Sequence, residues 1–243
     1  MKVVIVVPTY NEKSNLQRIT EALLALPSAV SVLVVDDNSP DGTGQLADQL
    51  AAAAEGRLHV LHRAGRRGLG AAYGAGFRHA LDRGADRIFT MDADFSHPPE
   101  TIPRMLELSK HCDVVVGSRY VEGGAVDKRW NLWRRLLSRG GNAYARWVTG
   151  IGVHDTTAGF KCFRASALRR LPLERIRSQG YVFQIELAVA CERASLRVCE
   201  EPIYFRERDF GESKMQLPIV WEALWRVWQL RHSSLLSYDE QRR

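Results

Sequence analysis

No stretch of this chain stays apolar for the ~20 residues that a bilayer-spanning helix needs, so the protein is expected to be soluble or peripheral to a membrane. Met1-Lys2 runs straight into Val3-Val4-Ile5-Val6-Val7, which is too short for a secretory core and stops at Pro8. Cys112, Cys162, Cys191 and Cys199 form no C-x-x-C pair. Buried, reduced thiols in a cytoplasmic protein are therefore the expectation. Internal repeats, low-complexity tracts and obvious linkers are also missing. The chain carries a net charge of +6 but no base-reading motif. Nucleic acid is set aside on that ground, which leaves an anionic membrane surface or phosphorylated substrates. A hydrophobic share of 45% and a charged share of 26% are ordinary for a soluble globular protein. At 243 residues the chain can bury a full core, as one large α/β domain or two small ones.

A complete dinucleotide fingerprint is absent as well. Gly68-Leu69-Gly70-Ala71-Ala72-Tyr73 begins like G-x-G-x-x-G, and Tyr73 breaks it. The acidic turn that would hold a ribose precedes these glycines, whereas the fingerprint puts it ~20 residues after them. A nicotinamide or flavin dehydrogenase is thereby disfavoured. The glycines read instead as points of close backbone approach, to a phosphate-binding loop or to a packed strand.

What is present centres on Met91-Asp92-Ala93-Asp94-Phe95-Ser96-His97-Pro98-Pro99-Glu100, just after the apolar run Ile88–Met91. If the extended geometry of a strand persists, Asp92 and Asp94 share a face. Two carboxylates aimed at one point repel unless a cation lies between them or one is protonated. Hard oxygen ligands suit Mg²⁺ or Mn²⁺, with water and substrate phosphates completing the shell. A solvated turn is the competing reading.

The flanking chain favours the first. Val3–Val7, Val30–Val35, Leu58–Leu61, Arg87–Met91 and Val114–Val116 read as strands, and amphipathic or capped helical segments separate them. Asp41 is expected to cap the helix after the second strand, and a glycine-rich turn is expected from Gly65 to Gly76. The alternation predicts a doubly wound, mostly parallel α/β sheet, in which ligands bind beyond the carboxyl ends of the strands. Thr9, Asp36, Asp37, Arg63, Asp92, Asp94 and Arg119 all follow strand ends.

Residues 131–148 separate into two arcs at 100° per residue. Leu132, Trp133, Leu136, Leu137, Ala143, Tyr144, Trp147 and Val148 lie on one, and Arg134, Arg135, Ser138, Arg139, Asn142 and Arg146 on the other. A core-packed helix with a solvated basic face is one reading; a phosphate or lipid-headgroup ligand on the arginine face is the other. Pro218 opens a further helix, to about Arg231, with a narrow polar strip of Glu222, Arg226 and Gln229 and with apolar residues, including Trp221, Trp225 and Trp228, over most of the remaining surface. It is expected either to pack wholly against the sheet or a second subunit, or to lie partly in a bilayer interface.

Taken in order, Pro8-Thr9-Tyr10-Asn11-Glu12, Asp36 to Thr43, Asp92 to Glu100, Gly117 to Tyr120, Asp155 to Phe160, Tyr181 to Glu186, and Arg208 with Gly211 to Lys214 resemble the polyprenyl- and dolichyl-phosphate mannosyltransferases of glycosyltransferase family 2. The resemblance runs from Val3 to about Lys214. It implies a GT-A fold over residues 1–214, followed at 215–243 by a C-terminal amphipathic helix and tail on the acceptor side. It also implies a nucleoside-diphosphate sugar, a divalent metal and a lipid monophosphate in a cytoplasmic membrane leaflet. Pro8, Tyr10, Glu12 and Asp37 would then line the guanine and ribose site, with Asp92, Ala93 and Asp94 completing the donor side. Asp92 and Asp94 would hold Mg²⁺ or Mn²⁺, with Ser96 in the third position, where such proteins often carry glutamine and where water is the alternative ligand. Arg119, Arg134, Ser138, Arg208 and Lys214 would surround the acceptor phosphate, and Asp94, Arg119, Arg208 and Lys214 would carry catalysis. Thr157-Ala158 stands where Thr-Ser is common, which removes one hydroxyl there.

A lipid phosphate is already anionic at neutral pH and needs no strong base. The remaining tasks are to stabilise the departing diphosphate and to bring two anions together, which a metal and a basic cluster can do. The expected reaction is inverting transfer of mannose from GDP-mannose to a polyprenyl or dolichyl phosphate, by a protein peripheral to the cytoplasmic face of a membrane and with or without a membrane-protein partner. UDP-glucose as donor, or a non-catalytic nucleotide-sugar-binding protein, stay open as alternatives.

Overall fold

A computed structural model of the chain describes residues 1–65, 68–176, 178, 180–207 and 217–232. The first half alternates strictly: β1 (Val3–Thr9), α1 (Lys13–Leu24), β2 (Val30–Asp36), α2 (Thr43–Ala53), β3 (Leu58–His62), α3 (Leu69–Asp82), β4 (Arg87–Thr90), α4 (Ile102–Leu108) and β5 (Val114–Ser118). Then follow β6 (Ala125–Val126), α5 (Leu132–Thr149), β7 (Lys161–Arg164), α6 (Ala165–Leu168), α7 (Gly180–Arg193), β8 (Val198–Pro202), β9 (Tyr204–Phe205) and α8 (Leu217–His232).

Seven strands form one sheet in the order β3-β2-β1-β4-β7-β5-β8, and β6 pairs with β9 in a small second sheet. Only β7 runs antiparallel to its neighbours, so the expected mostly parallel, doubly wound α/β sheet is what the chain forms. Along β1, Val4 and Val6 enter the core on one side of the sheet and Val3, Ile5 and Val7 the core on the other. A strand covered on both faces reads as an unbroken β-branched run, which is why it was legible.

The glycines of the broken fingerprint both make close approaches. The Gly68 N–H donates to Asp37 in the loop after β2 at 3.1 Å, and a Cβ on Gly70 would run into the Phe183 ring and the Ser178 carbonyl. The helix α3 begins at Leu69, inside the stretch expected to be a turn. Further along it, a Cβ on Gly76 would run into Cγ1 of Val6 and come within 3.3 Å of Val35 Cγ2. Missing side-chain bulk at Gly76 lets α3 settle on β1 and β2.

Cysteine pairing corrects a second expectation. Cys112 and Cys199 form a disulfide, with Cα atoms 6.0 Å apart, because the turn after α4 brings Cys112 against the edge strand β8. Cys162 and Cys191 are free and buried, and burial pushes both thiols up to about 12.

The helix α8 takes an intermediate course. Val227 and Leu230 are buried against α5 and α7, whereas Trp225 and Trp228 are 64% and 41% exposed. Over residues 224–231 it therefore has one buried and one exposed side, and no helix among the described residues is long and apolar enough to cross a membrane.

Replacing Gly76 with alanine should destabilise the protein by roughly 1–3 kcal/mol, the usual range for forcing a methyl into a packed interface. Gly74, two residues away with open space around its Cβ position, is the internal control. Gly74→Ala should be stabilising by up to ~1 kcal/mol from helix propensity alone. Urea unfolding of both variants checks the contrast, and equal effects would contradict the packing role of Gly76.

Candidate active site

The carboxyl ends of β1, β2 and β4 meet at one edge of the sheet. The loop after β1 is zipped to the loop after β2: the N–H of Asn11 donates to Ser39 Oγ at 3.1 Å and that of Glu12 to Thr43 Oγ1 at 3.0 Å. Gly42, with a left-handed φ of 89°, takes the N-cap position of α2 that was expected for Asp41. Asp41 instead accepts the N–H of Thr43 at 2.9 Å and the N–H of Lys13 at 3.2 Å, tying the starts of α2 and α1 together. Asp36 is internal, taking hydroxyl donors from Thr9 and Ser39. Asp37, 4% exposed, accepts from Arg63 at 2.5 Å and from the N–H of Gly68 at 3.1 Å. Thus Asp37 and Arg63 order this edge of the sheet together. Tyr10 and Glu12 are partly exposed on the same rim, Glu12 accepting from Asn15 Nδ2 at 2.9 Å, and Pro8 is the penultimate residue of β1.

The extended geometry assumed for Asp92 and Asp94 does not persist. β4 ends at Thr90, Met91 adds a last sheet bond to Val6, and the chain then turns, with Phe95 at a φ of 59°. Asp92 and Asp94 are held in that turn, not on a strand face. Asp94, 5% exposed, accepts both the N–H and the hydroxyl of Ser96, at 3.0 and 2.5 Å. Ser96 is fully buried, and Ala93 is buried between the two aspartates. Asp92 is less buried and accepts from the Tyr73 hydroxyl at 3.2 Å. Burial, and then the Asp92 charge, push the Tyr73 hydroxyl well above its ordinary value, so it stays a donor.

Tyr73, dismissed above as the residue that breaks a fingerprint, is thus a support for Asp92. His97 is a second one. Its Nδ1 accepts the N–H of Asp92 at 3.1 Å, which puts the proton of a neutral ring on Nε2. Burial lowers its proton affinity against the pull of Asp92 and Asp94, and the ring lies stacked on Phe160 and edge-on to Phe205. Lys161, fully buried beneath the 155–160 loop, is instead bonded to Gln184 Oε1 at 2.6 Å and to the Ala158 carbonyl. Burial brings it down to about 8. Tyr73 and Lys161 had no local signal, since Asp92 and Gln184 lie 19 and 23 residues from them. His97 is five residues from Asp92, but the rings that hold it, Phe160 and Phe205, are distant.

Two hard carboxylates, one tied to a hydroxyl turn and one partly open, suit a divalent cation that keeps water and substrate oxygens in its shell. Among the described residues no group of three His, Cys, Asp or Glu side chains could hold a metal alone.

On the far side, β5 delivers Arg119 to the 155–157 loop. Its Nε and one terminal nitrogen donate to the two Asp155 oxygens at 2.7 and 2.6 Å, and that nitrogen also reaches the Thr157 hydroxyl at 2.7 Å. Asp155 is fully buried. Burial alone would raise its carboxyl, but the Arg119 charge and hydrogen bonds outweigh that and hold it below the usual value. Arg119 also lies 5.2 Å over the Phe205 ring, on the ring that His97 meets edge-on. The carboxylate turn and the arginine are therefore joined through one aromatic contact.

The orientation of α5 overturns the reading of a core-packed apolar arc. Asn131 caps its start and Gly150, at a φ of 77°, ends it. Its inward side is mixed. Asn142, 3% exposed, accepts from the Thr156 N–H and hydroxyl at 2.7 and 2.8 Å. Ser138 bonds the Tyr120 hydroxyl at 2.6 Å, and Arg134 pairs with Glu207 at 2.6 Å above the Trp130 ring. Ala145 and, from the apolar arc, Val148 are buried in the core, with Tyr144 packed against it. The rest of that arc points outward, with Leu132 72%, Trp133 67%, Leu136 56% and Trp147 72% exposed. Buried amides and guanidinium groups need fixed partners, and the 155–157 loop and Glu207 supply them. Arg208 and Lys214 lie outside the described residues.

With this geometry in hand, comparison with known proteins places the chain. The model of Glycosyl transferase family 2 matches residues 4–172, and the chain belongs to that family. It is 45% identical over 234 residues to the polyprenol monophosphomannose synthase of Mycolicibacterium smegmatis, covering 95% of this chain and 88% of that one. It is 46% identical over 224 residues to the undecaprenyl-phosphate mannosyltransferase of Micrococcus luteus, covering 92% and 91%. Among solved structures, glucosyl-3-phosphoglycerate synthase from Mycobacterium tuberculosis with Mn²⁺, uridine-diphosphate and glucosyl-3-phosphoglycerate matches with a TM-score of 0.64 at 17% identity, over 94% of this chain and 78% of that one. A mannosyltransferase from Pyrobaculum calidifontis in complex with GDP-Man and Mn²⁺ matches with a TM-score of 0.59 at 18% identity, over 96% and 70%. At such identity these two share the GT-A fold.

Asp155→Ala should cost ~3–5 kcal/mol of stability, because it leaves the buried Arg119 charge without its carboxylate. The folded-state pKa of Asp155 lies below its unfolded value. Its contribution is therefore present above the unfolded pKa and lost as pH falls through the folded one. Asp155→Asn should accordingly flatten the loss of stability on acidification below about pH 4. Thermal melts of parent and variants against pH test both points; an unchanged acid limb would contradict the pairing.

Proposed function

We propose that this member of glycosyltransferase family 2 transfers mannose from GDP-mannose, with inversion, to a polyprenyl or dolichyl-type monophosphate, working at the cytoplasmic face of a membrane with Mg²⁺ or Mn²⁺ at Asp92 and Asp94. The names of the two relatives at 45% and 46% identity support the sugar and the acceptor class. The observation that carries the reading is α5, whose polar ridge faces the site while its apolar ridge faces outward. A lipid acceptor demands such an element: a phosphate must reach the site while the attached hydrocarbon stays in the bilayer. Four side chains exposed to this degree forgo roughly 4–8 kcal/mol of burial in water, which contact with lipid would recover.

In the proposed reaction an anionic oxygen of the lipid phosphate attacks the anomeric carbon as the bond from that carbon to the GDP oxygen breaks. The products are a β-mannosyl phosphate lipid and GDP, and no proton has to be removed from the nucleophile. A divalent cation at the aspartate turn supplies charge neutralisation for the departing diphosphate. Asp37, ordered by Arg63, with Pro8, Tyr10 and Glu12 on the rim, would hold the nucleoside, and Ala93 would back the donor between the aspartates. Tyr73 and His97 fix the orientation of Asp92, and Ser96 that of Asp94, by the hydrogen bonds described. Ser96 would meet the cation only by turning its hydroxyl from Asp94, so water is the better third ligand. Arg119 orders the acceptor side through Asp155 and Thr157; Arg134, Ser138, Arg208 and Lys214 would receive the lipid phosphate.

Purified protein should move label from GDP-mannose into polyprenyl phosphate when Mg²⁺ or Mn²⁺ is present, and stop when the metal is chelated. Asp92→Asn and Asp94→Asn should each lower turnover at least about a hundredfold while the protein stays folded. Near-parental rates in both variants, or transfer from UDP-glucose in place of GDP-mannose, would overturn this assignment.

A further inference from the structure

Beside the outward ridge of α5 lies an open cleft of about 280 Å³. Arg139, Asn142 and Arg146 of α5 line it with His154 and with Arg119 and Tyr120, which it shares with the transfer site; no carboxylate lines it. Arg119 is committed to Asp155, and His154 meets Glu200 Oε2 at 2.8 Å. Among the described residues neither Arg139 nor Arg146 meets a carboxylate, and Nε of Arg146 is buried without an acceptor. A buried guanidinium donor of this kind calls for an oxyanion.

Position narrows the anion. At 100° per residue, Arg139 and Arg146 stand about 20° and 40° round the helix from Leu132, on the border of the exposed ridge. Arg134 and Ser138 face the sheet edge, roughly 80–140° further round. If Trp133, Leu136 and Trp147 enter the bilayer, the two arginines come level with the headgroup phosphates, where a guanidinium fork fits phosphate oxygens.

We propose that this cleft binds the headgroup phosphate of an anionic membrane lipid, apart from the acceptor phosphate, and so seats the enzyme with α5 along the bilayer surface. The proposal rests on the membrane-facing reading of α5. Arg139→Gln, Arg146→Gln removes both charges and keeps most of each stem. Arg78→Gln, Arg83→Gln, exposed positions on α3 and at its C-cap, changes net charge equally and serves as control.

Flotation with phosphatidylcholine vesicles, alone or containing phosphatidylglycerol, measures the parent and both variants at one ionic strength. The parent should prefer the phosphatidylglycerol vesicles. The cleft variant should lose that preference by roughly thirtyfold, ~1 kcal/mol for each cation, and the control variant far less. Turnover of a short, water-soluble prenyl phosphate should match the parent in the cleft variant. Equal losses in the two variants would mean that net charge alone is at work and no site exists. Parental binding by the cleft variant would sink the headgroup site while leaving membrane attachment standing. Failure of the parent to bind any vesicle would remove both. Loss of turnover on the soluble acceptor would make the cleft part of the transfer site and so end the claim of a separate one.

Discussion

The buried contact between Arg119 and Asp155 joins the end of β5, the 155–157 loop and, through Thr157, the polar ridge of α5. Both carboxylate oxygens are used, and the Arg119 N–H adds a third bond at 3.0 Å. Asn142 reaches the same loop from α5 through three hydrogen bonds, two from Thr156 and one to Thr157, and donates a fourth back to its own helix at the Ser138 carbonyl. Charges and amides taken this far from water are tolerable only when each is matched. The loop, once ordered, dictates which side of α5 turns inward. The outward apolar ridge is then a consequence of satisfying polar groups and of packing Ala145 and Val148 in the core, and the proposed membrane contact and arginine cleft both follow from it.

The same logic holds at both ends of the site. The carboxylates after β2 and β4 combine short-range turns, with Ser96 on Asp94 and Ser39 on Asp36, with distant partners, Thr9 on Asp36, Arg63 on Asp37 and Tyr73 on Asp92. At the other end Arg134 pairs with Glu207, 73 residues away. Phe205, between His97 and Arg119, couples the halves without placing an ionisable group between two anions.

The strands of the sheet were legible in the sequence because burial on both faces leaves an unbroken apolar run, as in Val3–Val7. The polar clusters at strand ends were legible because a doubly wound sheet gathers them at one edge. The facing of α5 was not. Periodicity separates two arcs but does not say which meets protein when the other medium is lipid rather than water. Tyr73, His97 and Lys161 escaped notice because their partners are set by topology. The bond between Cys112 and Cys199 spans 87 residues, and spacing alone carries no information on it.

Quenching of tryptophan fluorescence by lipids brominated in the upper acyl chain tests the central claim, that the apolar ridge of α5 meets the bilayer while its polar ridge serves the site. Vesicles of such lipid should quench the parent strongly, and a Trp133→Phe, Trp147→Phe variant should lose a large part of that quenching while its thermal melt stays parental. Equal quenching in parent and variant would contradict the orientation of α5 on which the account depends.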